Sequence, residues 1–302
     1  MIKIKAPFIY TGNKSRHYDI IKKSYIDSGK NNFVDLFAGG LTVPINIKAD
    51  CGGYVHANVK DEFIEGLLKI GKEKTLELYG YIMNIILEGE ADKVNFRTDK
   101  AAFNRCRDRY NRIFYTNCEC CGSRLKISEA SDDLHLVATT LCDMCFGSTL
   151  RQHSLGYNAF NVSKTEVSSA WFDGVSFIDK VTFDLMNWDS RFEDAFIHLD
   201  PPYITSIKES KKGIIGTGYA TQTSTADTMW TWAEDDNLID FIHANLGRGN
   251  VFMLWGSIGN HLYDAIQERL PQAEIVEIER FKNIFGRKKV EKVLEYYAII
   301  KD

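Results

Sequence analysis

Residues 195 to 203 read Ala-Phe-Ile-His-Leu-Asp-Pro-Pro-Tyr, and this stretch decides the fold. The mostly apolar run before Asp200 predicts a buried strand of a parallel sheet. Pro201 and Pro202 cannot continue the strand, because proline lacks the backbone N–H and fixes φ. Asp200 and Tyr203 therefore stand at the carboxyl end of the strand, where open α/β sheets bind their ligands. Hydrogen-bond acceptors beside a flat ring suit a ligand that presents an amine.

Strand and helix patterns alternate over both ends of the chain, which predicts an α/β fold with a doubly wound sheet. Strands are expected at 33–38, 54–57, 181–184, 195–199, 250–255, 274–279 and 293–300. Helices are expected from about Leu41, over 61–87, within a charged segment at 91–117, and over 235–245 and 261–270. The alternation stops in the middle of the chain, which predicts a different module inserted between two halves of one α/β domain.

The composition is typical of a globular protein, since 44% of the 302 residues are apolar, enough to form a core. No apolar run approaches membrane-spanning length, and the first ten residues lack the apolar core of a signal peptide. We therefore expect a soluble, cytoplasmic protein without a membrane partner. The net charge of −4 argues weakly against nucleic acid, but basic residues cluster between Lys100 and Lys126, and a net sum can hide a basic face. Such a cluster is more commonly a solvated helix face.

Five of the seven cysteines fall between Cys118 and Cys145. Cys118-x-x-Cys121 and Cys142-x-x-Cys145 have the spacing of a four-cysteine zinc site, in which each pair spans one edge of a tetrahedron. Four thiolates leave no open coordination position, so we expect a structural metal ion. Cys120 is excluded because it would form a cramped pair with Cys121. Buried or redox-active cysteines are the alternative.

Three motifs follow one another along the chain: PFIYTGNK at residues 7–14, FVDLFAGG at 33–40 and DPPY at 200–203. In this order, and with a long insert before the last, they resemble the Dam-like alpha group of DNA adenine N6-methyltransferases. Further stretches are similar to motifs of that family: Arg109-Tyr110-Asn111, residues 146–163, Asn187-Trp188-Asp189, and Trp230-Thr231 before the acidic residues 234–236. The resemblance covers most of the chain. It implies a Rossmann-like, S-adenosylmethionine-dependent methyltransferase fold with an inserted, mainly helical target-recognition domain.

The resemblance also implies a division of labour along the chain. Residues 1–60 and 168–302 would form the catalytic domain that binds S-adenosylmethionine, and 61–167 the target-recognition domain, with the zinc module at 116–147. The implied activity is site-specific methylation of adenine N6 in double-stranded DNA, by base flipping and direct methyl transfer. We expect a location in the cytoplasm of a bacterium or of a phage-infected cell. The sequence does not give the oligomeric state, and a monomer is one possibility. A restriction endonuclease partner stays open.

The resemblance assigns three groups of site residues. Asp200 and the Pro201 carbonyl would accept hydrogen bonds from the adenine amine, and Tyr203 would stack on the base. The catalytic residues are Asp200, Pro201, Pro202 and Tyr203. The cofactor-binding residues are Tyr10, Lys14, Asp35, Phe37, Gly39, Asn58, Asp189 and Asp200. The DNA-contacting residues are Lys14, Arg151, Asn158 and Lys208, the last in a loop over 204–228.

One position departs from the family pattern. Asn58 stands where the family has an acid for the cofactor ribose, and Asp61 or Glu62 is the alternative acid. Asn58 mildly favours a catalytically inactive, zinc-containing DNA-binding protein. A second alternative is methylation of another planar amine, such as cytosine N4 or an RNA adenine. The aspartate before Pro-Pro-Tyr favours adenine.

Overall fold

A computed structural model of the chain describes residues 3–8, 14–90, 93–95, 98–117, 120, 124–126, 131–142, 161–163, 169–179, 192–202, 207–210, 213–216, 230, 232–283 and 290–302. The chain forms two compact units. The first consists of Met1–Ile4, Thr11–Lys60 and Gly174–Asp302, and the second of Lys5–Tyr10 and Asp61–Asp173. The chain passes between the units after Ile4, Tyr10, Lys60 and Asp173, whereas the predicted domains change after residues 60 and 167.

The helices and strands of the described residues are as follows. A 3-10 helix at Lys14–His17 precedes helices α1 (Tyr18–Asp27), α2 (Thr42–Cys51), α3 (Glu62–Ile70), α4 (Lys72–Ile86), α5 (Lys100–Phe114), α6 (Asp132–Val137), α7 (Ser169–Val175), α8 (Trp232–Asn245) and α9 (His261–Arg269). The strands are β1 (Asn32–Asp35), β2 (Tyr54–Ala57), β3 (Lys93–Asn95), β4 (Tyr115–Asn117), β5 (Arg124–Lys126), β6 (Asn161–Ser163), β7 (Ala195–Leu199), β8 (Ile207–Ser210), β9 (Gly213–Gly216), β10 (Val251–Ser257), β11 (Glu274–Asn283) and β12 (Val290–Ile300). Among these described residues, no helix is both long and apolar enough to cross a membrane.

The first unit is built on a mixed six-stranded sheet with the order β11-β12-β10-β7-β1-β2. Strands β2, β1, β7 and β10 run parallel, whereas β12 is antiparallel to both β10 and β11. All five residues of β7 are buried, as expected for a central strand covered on both faces. The predicted α/β class is confirmed, and the arrangement is compatible with a Rossmann-like fold.

Helices cover both faces of this sheet. On one face, the Tyr25 ring of α1 meets the rings of Phe33 and Phe196 edge-on, at 5.2 and 5.7 Å between centroids. On the other face, apolar residues of α8 and α9 form one buried cluster with β-strand residues such as Val34 and Ile197. The two faces alternate along each strand because successive side chains point to opposite sides. The core of the unit is therefore continuous through β1 and β7.

The second unit is mainly helical among its described residues, and α3 to α6 carry much of its core. Gly66 of α3 allows a close approach, because a β-carbon there would overlap the Leu136 side chain of α6. Phe8 and Trp171 pack edge-on at 5.5 Å between ring centroids. Two short antiparallel ribbons, β3–β6 and β4–β5, complete the described part.

Several predicted elements differ from the structure. The helix predicted over 61–87 is two helices, α3 and α4, which are separated by Gly71 at a φ of 86°. The first strand ends at Asp35, because the chain turns there. The charged segment 91–117 holds the single helix α5 between short strands. The predicted loop at 204–228 contains the β8–β9 hairpin, and the strand predicted at 181–184 lies outside the described residues.

Candidate active site at the carboxyl edge of the sheet

The parallel strands β1 and β7 are neighbours at the point where the strand order reverses. From β1 the chain passes to β2 on one side, and β7 is hydrogen-bonded on the other side of β1. Ligands of open α/β sheets bind at such a switch point, beyond the carboxyl ends of the strands. Asp35 at the end of β1 is in register with His198 of β7, two residues before Asp200. The glycine turn and Asp200 therefore leave the sheet from neighbouring strand ends.

The turn after β1 is tightly held by its own backbone. The Phe37 N–H donates to an Asp35 carboxylate oxygen at 3.2 Å, and the Leu41 N–H donates to the Ala38 carbonyl at 2.8 Å. Gly39 has a φ of 49°, and Leu41 has a φ of 62° although it is not a glycine. A leucine in the left-handed region costs on the order of 1–2 kcal/mol, so the surrounding packing must impose this conformation. Such strain is frequent in turns that approach a ligand closely.

Asp200 is paired with Lys14, which lies 186 residues earlier in the chain. The Lys14 Nζ lies 2.6 Å from an Asp200 carboxylate oxygen, and the two side chains are only 8% and 14% exposed. The same ammonium lies 5.6 Å from the centroid of the Trp255 ring, a cation–π distance, and Trp255 is fully buried. The Asp200 carboxylate thus holds an ammonium group at hydrogen-bond distance.

Lys14 was predicted both to bind the cofactor and to contact DNA phosphate. Its side chain is buried against Asp200, so the structure places its ammonium beside the predicted catalytic acid. The phosphate contact stays a prediction, and it would require the side chain to leave this pair.

Asp35 lies beneath the turn. It is 1% exposed, and its carboxylate accepts the Phe37 N–H and lies 3.2 Å from Nδ1 of the buried His198. The Leu36 N–H donates to the His198 carbonyl at 3.2 Å, which extends the pairing of the two strands. Its carboxylate therefore supports the turn, and the direct cofactor contact predicted for Asp35 stays a prediction.

Asn58 follows β2 and lies close to the turn. Its N–H donates to the Asp35 carbonyl, its carbonyl accepts the Ala38 N–H, and its side-chain amide donates to the Leu36 carbonyl at 3.4 Å. Asn58 is 7% exposed, so much of its polar capacity serves the turn itself. The alternative acid, Asp61, uses one carboxylate oxygen to cap α3, where it accepts two backbone N–H groups.

The structure also brings in residues to which the sequence assigned no role. His198 and Trp255 pack within the site, and Asp235 accepts a hydrogen bond from the Trp230 indole at 2.7 Å. Trp230 was noted only as part of a family motif, and the motif carries no information on its hydrogen-bond partner. A polar residue inside an apolar strand, as His198 is in β7, is the one sequence signal that could have drawn attention to this set.

Much of the predicted site lies outside the described residues. These undescribed site residues are Tyr10, Arg151, Asn158, Asp189 and Tyr203. Lys208 lies in β8, but only its backbone is described.

The predicted zinc ligands are placed only in part. Cys118, Cys121 and Cys145 lie outside the described residues, and Cys142 ends a π-helical turn without a described side chain. Within the part of the chain that is placed, no three His, Cys, Asp or Glu side chains converge as a metal site would require. Burial raises the pKa of the separate Cys106 to about 11, so that thiol stays protonated at neutral pH. The zinc site stays a prediction.

Part of the basic cluster in α5 is neutralised within the second unit. Arg105 donates to both carboxylate oxygens of Glu90, at 2.7 and 2.8 Å, and Arg109 donates to one of them at 3.1 Å. The hydrogen bonds from Arg105 and Arg109 lower the pKa of Glu90 to about 2. Arg107 is paired with Asp108. Arg105 and Arg109 thus join α5 to the segment after α4, whereas Arg107 pairs with its neighbour in the same helix. The DNA-binding face predicted from the whole cluster stays a prediction.

The described residues thus form a carboxylate, a glycine-bearing turn and an aromatic set at one edge of a parallel sheet. A buried carboxylate that holds an ammonium can bind an amine or a cationic ligand in its place. No protein-family model matches the chain.

Proposed function

We propose that this protein transfers a methyl group from S-adenosylmethionine to N6 of adenine in double-stranded DNA. The observation that carries the proposal is Asp200, a mostly buried carboxylate at the carboxyl end of β7 that binds an ammonium at 2.6 Å. The resemblance of the ordered motifs to the Dam-like family supports adenine N6 as the amine and the second unit as the part that would read the DNA.

The residues of the site fit the methyl donor in charge and in position. The donor carries an α-ammonium and a sulfonium, and a carboxylate at a switch point is a suitable partner for such a cation. Asp200 and the turn at Phe37 and Gly39 leave adjacent strands, so one ligand can reach both. When bound, the donor supplies an electrophilic methyl group on sulfur.

The protein residues act on the target amine. The lone pair of adenine N6 is delocalised into the ring, so the amine is a weak nucleophile. Asp200 and the Pro201 carbonyl would accept its two N–H groups, which favours a pyramidal nitrogen with an available lone pair. The nitrogen lone pair would then be available to the methyl group that the donor supplies, with a neutral thioether as leaving group, and the amine would release one proton to solvent by way of Asp200. Positioning and electrostatics account for the acceleration, and no covalent enzyme intermediate is required.

Lys14 has two roles in the proposed reaction. In the free protein its ammonium satisfies the buried Asp200 carboxylate, which would otherwise be costly to leave unpaired. When an amine or cation of the ligand arrives, it exchanges with the Lys14 ammonium, which moves toward the cofactor or the DNA backbone.

Sequence specificity is assigned to the second unit. The proposed reader comprises residues 61–167, with Arg151 and Asn158 toward the DNA and a structural zinc ion bound by Cys118, Cys121, Cys142 and Cys145. Lys208 would add a phosphate contact from the β8–β9 hairpin.

The test is transfer of a tritiated methyl group from S-adenosylmethionine to unmethylated duplex DNA. We expect label in DNA as N6-methyladenine, and its loss in Asp200→Ala with an unchanged far-ultraviolet circular dichroism spectrum. Asp194→Asn is a suitable control, because Asp194 is an exposed acid just before β7 whose carboxylate pairs with Lys30, and asparagine tolerates the φ of 50° at this position. Label that enters only RNA, only protein or only cytosine would refute the proposal.

A second candidate is a catalytically inactive, zinc-containing DNA-binding protein. It is favoured by Asn58, whose amide is hydrogen-bonded to the turn where the family carries a ribose-binding acid. Calorimetric titration with S-adenosylhomocysteine separates the two functions. Binding with a micromolar dissociation constant supports the enzyme, and duplex binding without any cofactor binding supports the second candidate.

A further inference from the structure

We propose that Trp230 is an aromatic wall of the cofactor pocket beside Phe37, that it contacts the purine ring of the cofactor, and that Asp235 is the positioning residue that holds it. This inference rests on the proposed function and names part of its binding site.

Trp230 packs directly on the glycine turn. Its ring centroid lies 5.4 Å from that of Phe37, with an interplanar angle of 78°. Both rings are only partly buried, and both pack against the main apolar cluster of the sheet. Edge-to-face pairs at this distance are favourable and fix the relative orientation of the rings. Trp230 therefore shares the edge of the sheet with a residue already assigned to the cofactor.

Asp235 fixes the indole in place. It lies in the first turn of α8, is 2% exposed, and accepts the Trp230 indole N–H at 2.7 Å. Burial raises the pKa of the Asp235 carboxyl, and the hydrogen bond from Trp230 acts in the opposite direction. A buried carboxylate is costly, and an apolar side chain would fill the same core volume without that cost. The hydrogen bond that Asp235 accepts from the Trp230 indole, beside the proposed ligand site, gives a reason for a carboxylate at this position.

His261 and Trp232 extend the set toward solvent. His261 Nδ1 lies 3.4 Å from the second Asp235 oxygen, and the His261 ring stacks on Trp232 at 5.5 Å with an interplanar angle of 15°. Asp235 is thus held between Trp230 on one side and His261 on the other. The arrangement restrains the indole before any ligand binds, which lowers the entropy lost on binding.

A purine suits a preformed aromatic wall. Every purine has a π face, and stacking on an aromatic side chain contributes about 1–3 kcal/mol per base when measured by alanine substitution. Loss of the Asp235 hydrogen bond that holds the Trp230 ring should therefore weaken binding of the adenosine part of the ligand by about tenfold. The change should appear in affinity, because Trp230 touches the nucleoside and not the transferred methyl group.

The first measurement needs no ligand. In ¹⁵N-labelled protein, the indole N–H resonance of Trp230, assigned from Trp230→Phe, should be protected from hydrogen exchange. The protection should be lost in Asp235→Ala and kept in Asp235→Asn, because an amide oxygen can still accept the bond. Unchanged protection in Asp235→Ala would overturn the positioning role.

The second measurement is calorimetric titration with S-adenosylhomocysteine. Asp235→Ala should bind about tenfold more weakly, and Asp235→Asn within about twofold of the wild type. Asp240→Ala is the matched control, since Asp240 lies five residues later in the same helix and its side chain is 67% exposed. If Asp235→Ala loses the protection of the Trp230 indole N–H and still binds S-adenosylhomocysteine as tightly as the wild type does, that result would refute the role of Trp230 as an aromatic wall. Absence of binding to the wild type would overturn the proposed function and with it the ligand named here, whereas the exchange measurement would still report on the Asp235–Trp230 pair.

Discussion

Lys14→Met removes the ammonium that Asp200 holds and keeps most of the aliphatic side chain. At the observed 2.6 Å, the Coulomb attraction is about 6 kcal/mol for an effective dielectric constant of about 20, and about 1.6 kcal/mol in bulk water. Desolvation of two largely buried groups offsets part of this attraction. We expect the single variant to lose about 3–5 kcal/mol of unfolding free energy, because a largely buried carboxylate loses the ammonium that neutralises it.

A double-mutant cycle isolates the pair from other effects of each substitution. Lys14→Met, Asp200→Asn and the double variant are unfolded in urea, with circular dichroism and tryptophan fluorescence as probes. The double variant should be more stable than the sum of the single losses predicts, by about 2–4 kcal/mol. The gain arises because neither charge is then buried alone.

The exposed pair of Lys23 and Asp27 provides the control cycle. These side chains are 75% and 58% exposed and lie one helical turn apart in α1, so their coupling should be no more than about 0.5 kcal/mol. A coupling at Lys14 and Asp200 as small as that of the control would refute the reasoning that burial makes this pair strong. High salt should weaken the control coupling more than the coupling of the buried pair.

Three further predictions concern other parts of the molecule. Gly256→Ala should lower stability by about 1–3 kcal/mol in urea unfolding, since a methyl group there would overlap the Tyr296 ring, whereas Gly80→Ala, with open space around it in α4, should raise stability by about 0.5–1 kcal/mol. The pKa of Glu90 is lowered from near 4.5 to about 2, so its ion pairs stabilise the fold above pH 4.5 and this contribution is lost as the pH falls toward 2. Acid unfolding of Glu90→Gln should lack this component, and an acid transition identical to that of the wild type would contradict it. Metal analysis should find about one zinc per chain, lost in Cys142→Ser, and a metal-free wild type would rule out the four-cysteine site.

Sequence periodicity predicted the four parallel strands of the first unit well, because each is a short, mostly apolar run, but it missed the β8–β9 hairpin in the segment predicted as a loop. The predicted ranges 54–57 and 195–199 are those observed for β2 and β7. The prediction of one continuous helix over 61–87 was wrong, since the chain forms two helices there. A lone glycine inside a helical pattern is tolerated in some helices and ends others. Gly71 ends one here, at a φ that an L-residue rarely adopts.

The sequence predicted the residue types of the candidate site and which strand ends carry them, but not the contacts between their side chains. Asp200 and the glycine turn follow buried strands, and parallel strands bring their carboxyl ends to one edge, so their proximity follows from topology. The Lys14–Asp200 pair does not follow, because the sequence shows neither the direction nor the burial of the Lys14 side chain. Asp35 shows the same limit, since its carboxylate turns beneath the loop toward Phe37 and His198.

The sequence by itself determined the α/β class of the first unit, the position of its strands and the place of Asp200 at a strand end. These features depend on local patterns of apolar residues, glycines and prolines, which act over a few residues. The tertiary structure decided which charges meet, and it paired Lys14 with Asp200 and Asp235 with the Trp230 indole. The Lys14–Asp200 pair joins residues that are 186 positions apart, whereas Trp230 and Asp235 are five positions apart and meet where the start of α8 is buried. In both pairs burial makes an unpaired polar group costly and so selects its partner.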